Sequence, residues 1–142
     1  MANAKDMIMR AVTGFHRAVF QVSNGRLANH GNGMPVLQLT TAGRKTGKRR
    51  TTMLTSPVQD GDRMVVVASN GGDDRQPKWL LNLRDDSKVE VTMDGRTRPM
   101  QARVASVDEK AELWPRVVAA HRGYAQYQTR TNRDIPLVIL EP

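Results

Sequence analysis

Ile8, Val12, Phe15, Val19 and Val22 recur at alternating steps of four and three, which sets them along one helical stripe with Arg10 and Arg17 opposite. The pattern predicts an amphipathic helix that stops near Ser23, Asn24 and Gly25. Asn29, His30, Gly31, Asn32 and Gly33 then form a polar loop, read as mobile, that leads to Pro35. The period changes beyond it. Val36 to Thr41 alternates in part as a strand does, a run of cations follows, and Thr51 to Gln59 gives a longer strand, so the pair predicts a hairpin with a charged tip. Asp60, Gly61 and Asp62 mark a turn before the apolar run Met64 to Ala68, and Asp94 with Gly95 marks another between Lys88 to Met93 and Thr97 to Val104. The middle of the chain is therefore expected to be antiparallel β.

Two helical insertions interrupt this pattern. Asp73 or Asp74 can cap a short helix with Pro77 in its first turn and Trp79, Leu80 and Leu83 as apolar contacts. Ser106 and Glu109 have capping-box spacing and open a second helix that Pro115 should kink or restart. Ile135 to Leu140 is too apolar for a surface loop and too short for an ordinary helix, which predicts a buried closing strand. Six strands with few helices suggest a small barrel, mainly β with helices. The chain of 142 residues suits a single domain, with residues 1–33 as a helix and loop and residues 34–142 as the barrel.

Composition sharpens this picture in two places. Only six side chains are aromatic (two Trp, two Tyr, two Phe), so Val, Leu, Ile and the eight Met must fill most of the core. Trp114 is read as the core tryptophan. The formal charge of +8 is also uneven: residues 1–50 hold nine Lys or Arg against the single acid Asp6, whereas from residue 51 onward 13 basic side chains meet 13 acidic ones. A localised excess points to an anionic partner at one face. Cysteine is absent, which excludes disulfides and thiolate chemistry. His16, His30 and His121 fall in separate segments without ligand spacing, so no metal is expected. No apolar stretch approaches the length of a membrane span or signal-peptide core, and a cytoplasmic protein is expected.

The cations concentrate in the turn Gly43, Arg44, Lys45, Thr46, Gly47, Lys48, Arg49 and Arg50, where glycines allow a tight backbone and arginines offer bidentate geometry to phosphate or carboxylate. A solvated hairpin tip is the plain alternative. Gly47-Lys48 is followed by Arg49, Arg50 and a β run rather than by Ser or Thr and a helix, so this is no Walker motif. Ala68, Ser69, Asn70, Gly71 and Gly72 form a second anion-friendly cluster between a strand end and a helix start, where backbone can approach a flat ligand. Trp79 and Asn82 lie one turn apart and can face one ligand. Tyr124 and Tyr127, beside Arg122, Gly123 and Gln126, read as exposed phenols suited to binding or proton donation.

Taken in order, Gly43-Arg44-Lys45-Thr46-Gly47 with Arg50, Ala68-Ser69-Asn70-Gly71-Gly72, Pro77, Trp79, Leu81-Asn82-Leu83, Trp114-Pro115, Tyr124, Tyr127, Ile135-Pro136 and Glu141-Pro142 resemble the deazaflavin-dependent nitroreductase family over residues 34–142. The first 33 residues match it poorly. The resemblance implies a split β-barrel of the FMN-binding type that binds coenzyme F420, a deazaflavin with a phosphate and an oligoglutamate tail. It implies that Arg44, Lys45, Thr46, Arg50, Thr51, Thr52, Met53 and Leu54 contact the phosphate and tail. It further implies that Val67, Ala68, Ser69, Asn70, Lys78, Trp79, Leu80, Leu81, Asn82 and Tyr124 line the deazaflavin, with His121 and Tyr127 near the substrate. Reduced cofactor then passes hydride to a quinone, an activated alkene or a nitro compound, and Ser69 or Tyr124 donates a proton or hydrogen bond. In the nitroreductase member the position of His121 carries a tyrosine near the substrate, a departure that weakens the expectation of nitroimidazole-type activity here.

Two readings from other classes compete. A nucleic-acid-binding barrel would use the same hairpin on phosphates, but no aromatics interleave with the cations as stacking platforms require. An FMN-binding split-barrel protein would meet a phosphate without a polyglutamate tail. The N-terminal helix is expected to pack over the site or to touch an anionic membrane peripherally.

Overall fold

The computed structural model describes residues 30, 31 and 33–142, so the helix read over Ile8 to Val22 lies outside the described residues. Eight strands, β1 (His30–Gly31), β2 (Met34–Ala42), β3 (Arg49–Thr55), β4 (Val58–Asp60), β5 (Arg63–Val67), β6 (Lys88–Met93), β7 (Arg96–Val104) and β8 (Leu137–Glu141), form one antiparallel sheet. Among the described residues three α-helices join them: α1 (Lys78–Asp85), α2 (Val107–Ala120) and α3 (Gly123–Thr129). The sheet runs β2-β6-β7-β8-β5-β4, with β3 on the other edge of β2 and β1 pairing the start of β2.

The expected strand from Thr51 to Gln59 is divided, and the division curls the sheet into a barrel. Thr55 pairs with Val36 on β2, whereas Val58 pairs with Val65 on β5. Ser56 and Pro57 make the crossing. Ser56 is fully buried; its N–H donates to Pro35 O at 2.9 Å, and its hydroxyl lies within donating distance of Val58 O (2.9 Å) and Val65 O (2.8 Å). One serine thus ties the three strands where the chain changes partners, and Pro57 beside it is the local sign of the break.

The apolar runs owe their continuity to cover on both faces. Along β5 and β8, Met64, Val66, Val138 and Leu140 point into the barrel with Leu37, Leu39, Val89, Val91, Met100 and Ala102. Their neighbours Val65, Val67, Leu137 and Ile139 pack outside with Val117, Tyr124 and Ile135. β7 has cover on one face only, and Met100 and Ala102 alternate there with exposed Pro99, Gln101 and Arg103.

Several local expectations are corrected. The loop before Pro35 is partly ordered, because His30 and Gly31 pair back onto Pro35 and Met34. The first helix begins at Lys78, with Pro77 extended before it, and Asp73 caps the loop by accepting from the Arg75 N–H at 2.8 Å. The capping box of Ser106 and Glu109 is present, but Pro115 neither ends nor restarts α2. The carbonyl four residues earlier, left without its N–H donor, belongs to exposed Ala111 and has access to water. Trp79, at 9% exposure, is the tryptophan of the barrel core, while Trp114 is half-buried on α2 with the Lys110 ammonium 4.9 Å from its ring centre.

Candidate active site

The hairpin between β2 and β3 closes tightly. Gly43 N–H donates to Lys48 O and Gly47 N–H to Gly43 O, both at 2.7 Å, and Gly47 takes a φ of +72° that favours glycine. A side chain at Gly43 would meet Lys48 O at 3.1 Å and Thr46 Oγ1 at 3.3 Å. Arg44, Lys45, Thr46 and Arg50 face a cleft of about 990 Å³. Arg49 does not: its guanidinium makes a two-pronged ion pair with Glu90 on β6, at 3.0 and 2.5 Å. That pairing raises the arginine pKa and lowers the carboxylate's. Strand alternation sends Arg49 and Arg50 to opposite faces, so the cationic run divides between the cleft and the neighbouring strand.

The opposite wall is the segment from Ser69 to Trp79. Asn70, Gly71 and Gly72 have φ values of +46°, +65° and +84°, so the chain doubles back in a short 3-10 turn before α1. Gly72 permits this course, because a Cβ there would stand 2.8 Å from Tyr127 O. Arg75 and Lys78 bring two further cations to the cleft, and Gln76 and Pro77 line it between them. Arg75 also pairs with Asp73 at 3.1 Å, which holds that carboxyl below its ordinary pKa. Thr41, Arg75 and Gln76 went unnoticed in the sequence. Only the proximity of Arg75 to the Ser-Asn-Gly-Gly cluster could have marked it, because Asp73 and Asp74 cancel its charge.

Asn82 joins the two walls. Its amide oxygen accepts from the Arg44 N–H at 3.1 Å, and its amide nitrogen donates to Thr41 Oγ1 at 3.2 Å. The amide makes one hydrogen bond at each end, fastening the basic turn to α1, while Asn82 also lines the cleft. Leu54, Val67 and Trp79 supply the apolar part of the lining, and Ser69, 9% exposed, stands among them. Its hydroxyl has no hydrogen-bond partner among the described residues, while its carbonyl accepts from Gly72 N–H and from Arg133, each at 2.8 Å.

The structure gathers most of the residues expected at the site. Arg44, Lys45, Thr46, Arg50, Thr51, Thr52, Leu54, Val67, Ser69, Asn70, Lys78, Trp79 and Asn82 all line this cleft. Met53, Ala68, Leu80 and Leu81 are not in its lining; Ala68 and Leu80 are fully buried in the barrel interior behind it. Tyr124, His121 and Tyr127 are also outside the lining. Tyr124 is buried rather than exposed, and its hydroxyl lies 3.0 Å from Thr55 Oγ1 and 3.9 Å from Met34 Sδ. His121 and Tyr127 pack edge-on against its ring at 5.3 and 6.0 Å. Burial raises the Tyr124 pKa, against the opposing effect of the Thr55 hydrogen bond.

A cationic rim joined to an apolar floor suits a ligand with a flat ring system at one end and several negative charges at the other. Known proteins with similar sequences agree with that chemistry. A solved F420-H2 dependent reductase is 36% identical, covers 75% of this chain and 94% of its own, and superposes with a TM-score of 0.68. A domain-swapped dimer of 31% identity covers 98% of this chain and 100% of its own, with a TM-score of 0.70. An F420H(2)-dependent quinone reductase of Mycobacterium tuberculosis (strain ATCC 25618 / H37Rv) is 38% identical over 129 residues, 88% of this chain and 86% of the relative. The family match itself runs over residues 11–142, so it takes in most of the N-terminal segment that the motif resemblance left out. The barrel, the cleft and these matches place the chain in the F420H(2)-dependent quinone reductase family.

Proposed function

We propose that this chain reduces quinones with reduced coenzyme F420 bound in the cleft between the basic turn and the Ser69–Trp79 wall. The observation that carries the reading is the union, in one cleft, of Arg44, Lys45, Arg50, Arg75 and Lys78 with the apolar Leu54, Val67 and Trp79. The cations match the phosphate and carboxylates of the cofactor, and the apolar floor matches its ring. Bound reduced F420 supplies the hydride, so the protein's work is to bind, orient and exclude water. Arg44, Lys45, Thr46 and Arg50 hold the phosphate and tail from one side, Arg75 and Lys78 from the other. Thr51 and Thr52 continue the first wall toward Leu54. Asn70 and Asn82 act by shaping the walls.

Ser69 is the residue assigned to the reacting end. Its hydroxyl is directed by no other described residue and is free to donate to the oxygen on which negative charge develops as a quinone accepts hydride. Tyr124, with its hydroxyl against Thr55, takes a supporting part in this reading. Quinone is the acceptor favoured here because the family and the curated relative carry that name.

The test follows the loss of reduced F420 under anaerobic conditions with a naphthoquinone as acceptor. The wild-type chain should turn over, and Ser69→Ala should lose about a hundredfold in kcat with F420 affinity unchanged. Full turnover by Ser69→Ala would remove that residue from the chemistry, and no turnover by the wild type would remove the quinone.

A further inference from the structure

The Ser69–Trp79 wall contains few regular hydrogen bonds of its own, and its shape depends on a short segment after α3. Arg133 reaches it with all parts of its guanidinium: Nε donates to Asp73 O at 2.9 Å, one terminal nitrogen to Gln76 Oε1 at 3.0 Å and the other to Ser69 O at 2.8 Å. Two neighbours reinforce the contact. Thr131 Oγ1 donates to the Asp74 carboxylate at 2.7 Å, and Arg130 donates to Gly71 O at 3.2 Å. A planar fork that meets three acceptors at the start, middle and end of an irregular loop fixes that loop's curvature, which no single-point contact can do.

We propose that Arg133 is the positioning residue of the cleft, setting the spacing between its two walls and thereby the affinity for the flat, anionic cofactor. The proposal rests on the reading of the cleft as the F420 site. Arg133 itself is absent from the cleft lining and acts through Ser69 and Gln76, which are part of it. The arrangement also explains why Gly72 must lack a side chain: the strap lies so close that a Cβ there would meet Arg130 Cβ at 3.0 Å as well as Tyr127 O. The wall is thus pressed against the strap and held there by the guanidinium.

The test uses the full chain with Arg133→Ala and Arg133→Lys, judged by two independent readouts. The first is hydrogen exchange at the Gly72 and Asp73 amides, which donate to Ser69 O and Asn70 O and report on the wall without any ligand. Both variants should exchange faster there while amides of β6 and β7 remain protected. The second is F420 binding, which should weaken at least about tenfold in both, lysine included, because a point charge cannot span three acceptors. Added guanidinium, compared with sodium chloride at equal ionic strength, should restore part of the affinity of Arg133→Ala. Unchanged exchange at Gly72 and Asp73 would overturn the proposal whatever the ligand does. Lysine binding F420 as the wild type does would also overturn it, as would general loss of protection without guanidinium rescue. Failure of the wild type to bind F420 would instead overturn the reading of the cleft and leave the exchange result to judge Arg133.

Discussion

The two walls of the cleft are built on opposite plans. The β2–β3 wall is regular: seven residue pairs from Val36–Thr55 to Ala42–Arg49 lock its register, and its cations project from a closed hairpin. The Ser69–Trp79 wall has three consecutive residues at positive φ and takes its shape from Arg130, Thr131 and Arg133 outside it. Charge can therefore be changed on the first wall without moving backbone, whereas on the second a change of shape comes before any change of charge. Asn82 spans them, from α1 to the Arg44 amide.

The largest effect should come from filling the space behind the second wall. Gly72→Ala sets a methyl 2.8 Å from a backbone oxygen at a φ of +84°, two penalties that together destabilise by about 2–4 kcal/mol. Thermal unfolding should show a marked fall in Tm, with F420 binding lost even where the variant is still folded. A variant with wild-type Tm and affinity would mean that the wall yields freely and that the contrast between the walls is false.

A smaller effect separates Tyr124 from the chemistry. Burial raises its folded-state pKa above the ordinary value of 10.0, so the fold favours the neutral phenol. The corresponding stability is complete below about pH 10 and is lost as pH rises through the folded-state pKa. Comparing Tm between pH 8 and pH 11, Tyr124→Phe should lack this part of the alkaline decline and keep most of its turnover. A large fall in kcat at unchanged Tm would return the phenol to the reacting end.

How much of this could be read from the sequence follows from where the physics is local. The basic turn, the capping box of Ser106 and Glu109 and the apolar runs of β5 and β8 are local patterns, and each appears where the pattern put it. The Ser56 crossing is not local, since its partners Pro35, Val58 and Val65 lie on three strands. Nor is the fate of Arg49, which depends on Glu90 lying diagonally across β2 from it, or the burial of Tyr124 against Thr55 and Met34. Charge counting found the first wall because its acids lie elsewhere. Asp73 and Asp74 balance Arg75 and Lys78 in sequence while only the cations line the cleft, so the charge pattern hid both; Lys78 was legible through the family resemblance, and Arg75 was not. The family match then extended to residues 11–142 what motifs had supported from residue 34.

In the function proposed for this cleft, the cations that face it, rather than the turn as a whole, hold the anionic end of F420. Titration of F420 against the wild type, Arg44→Ala and Arg49→Ala over a series of salt concentrations tests it directly. Arg44→Ala should weaken binding about tenfold at low salt and flatten its salt dependence, because a charge-assisted contact and its screening are removed together. Arg49→Ala should leave both the affinity and the slope close to the wild type, since Arg49 spends its charge on Glu90. Equal losses in the two variants, or a wild-type affinity indifferent to salt, would contradict the claim.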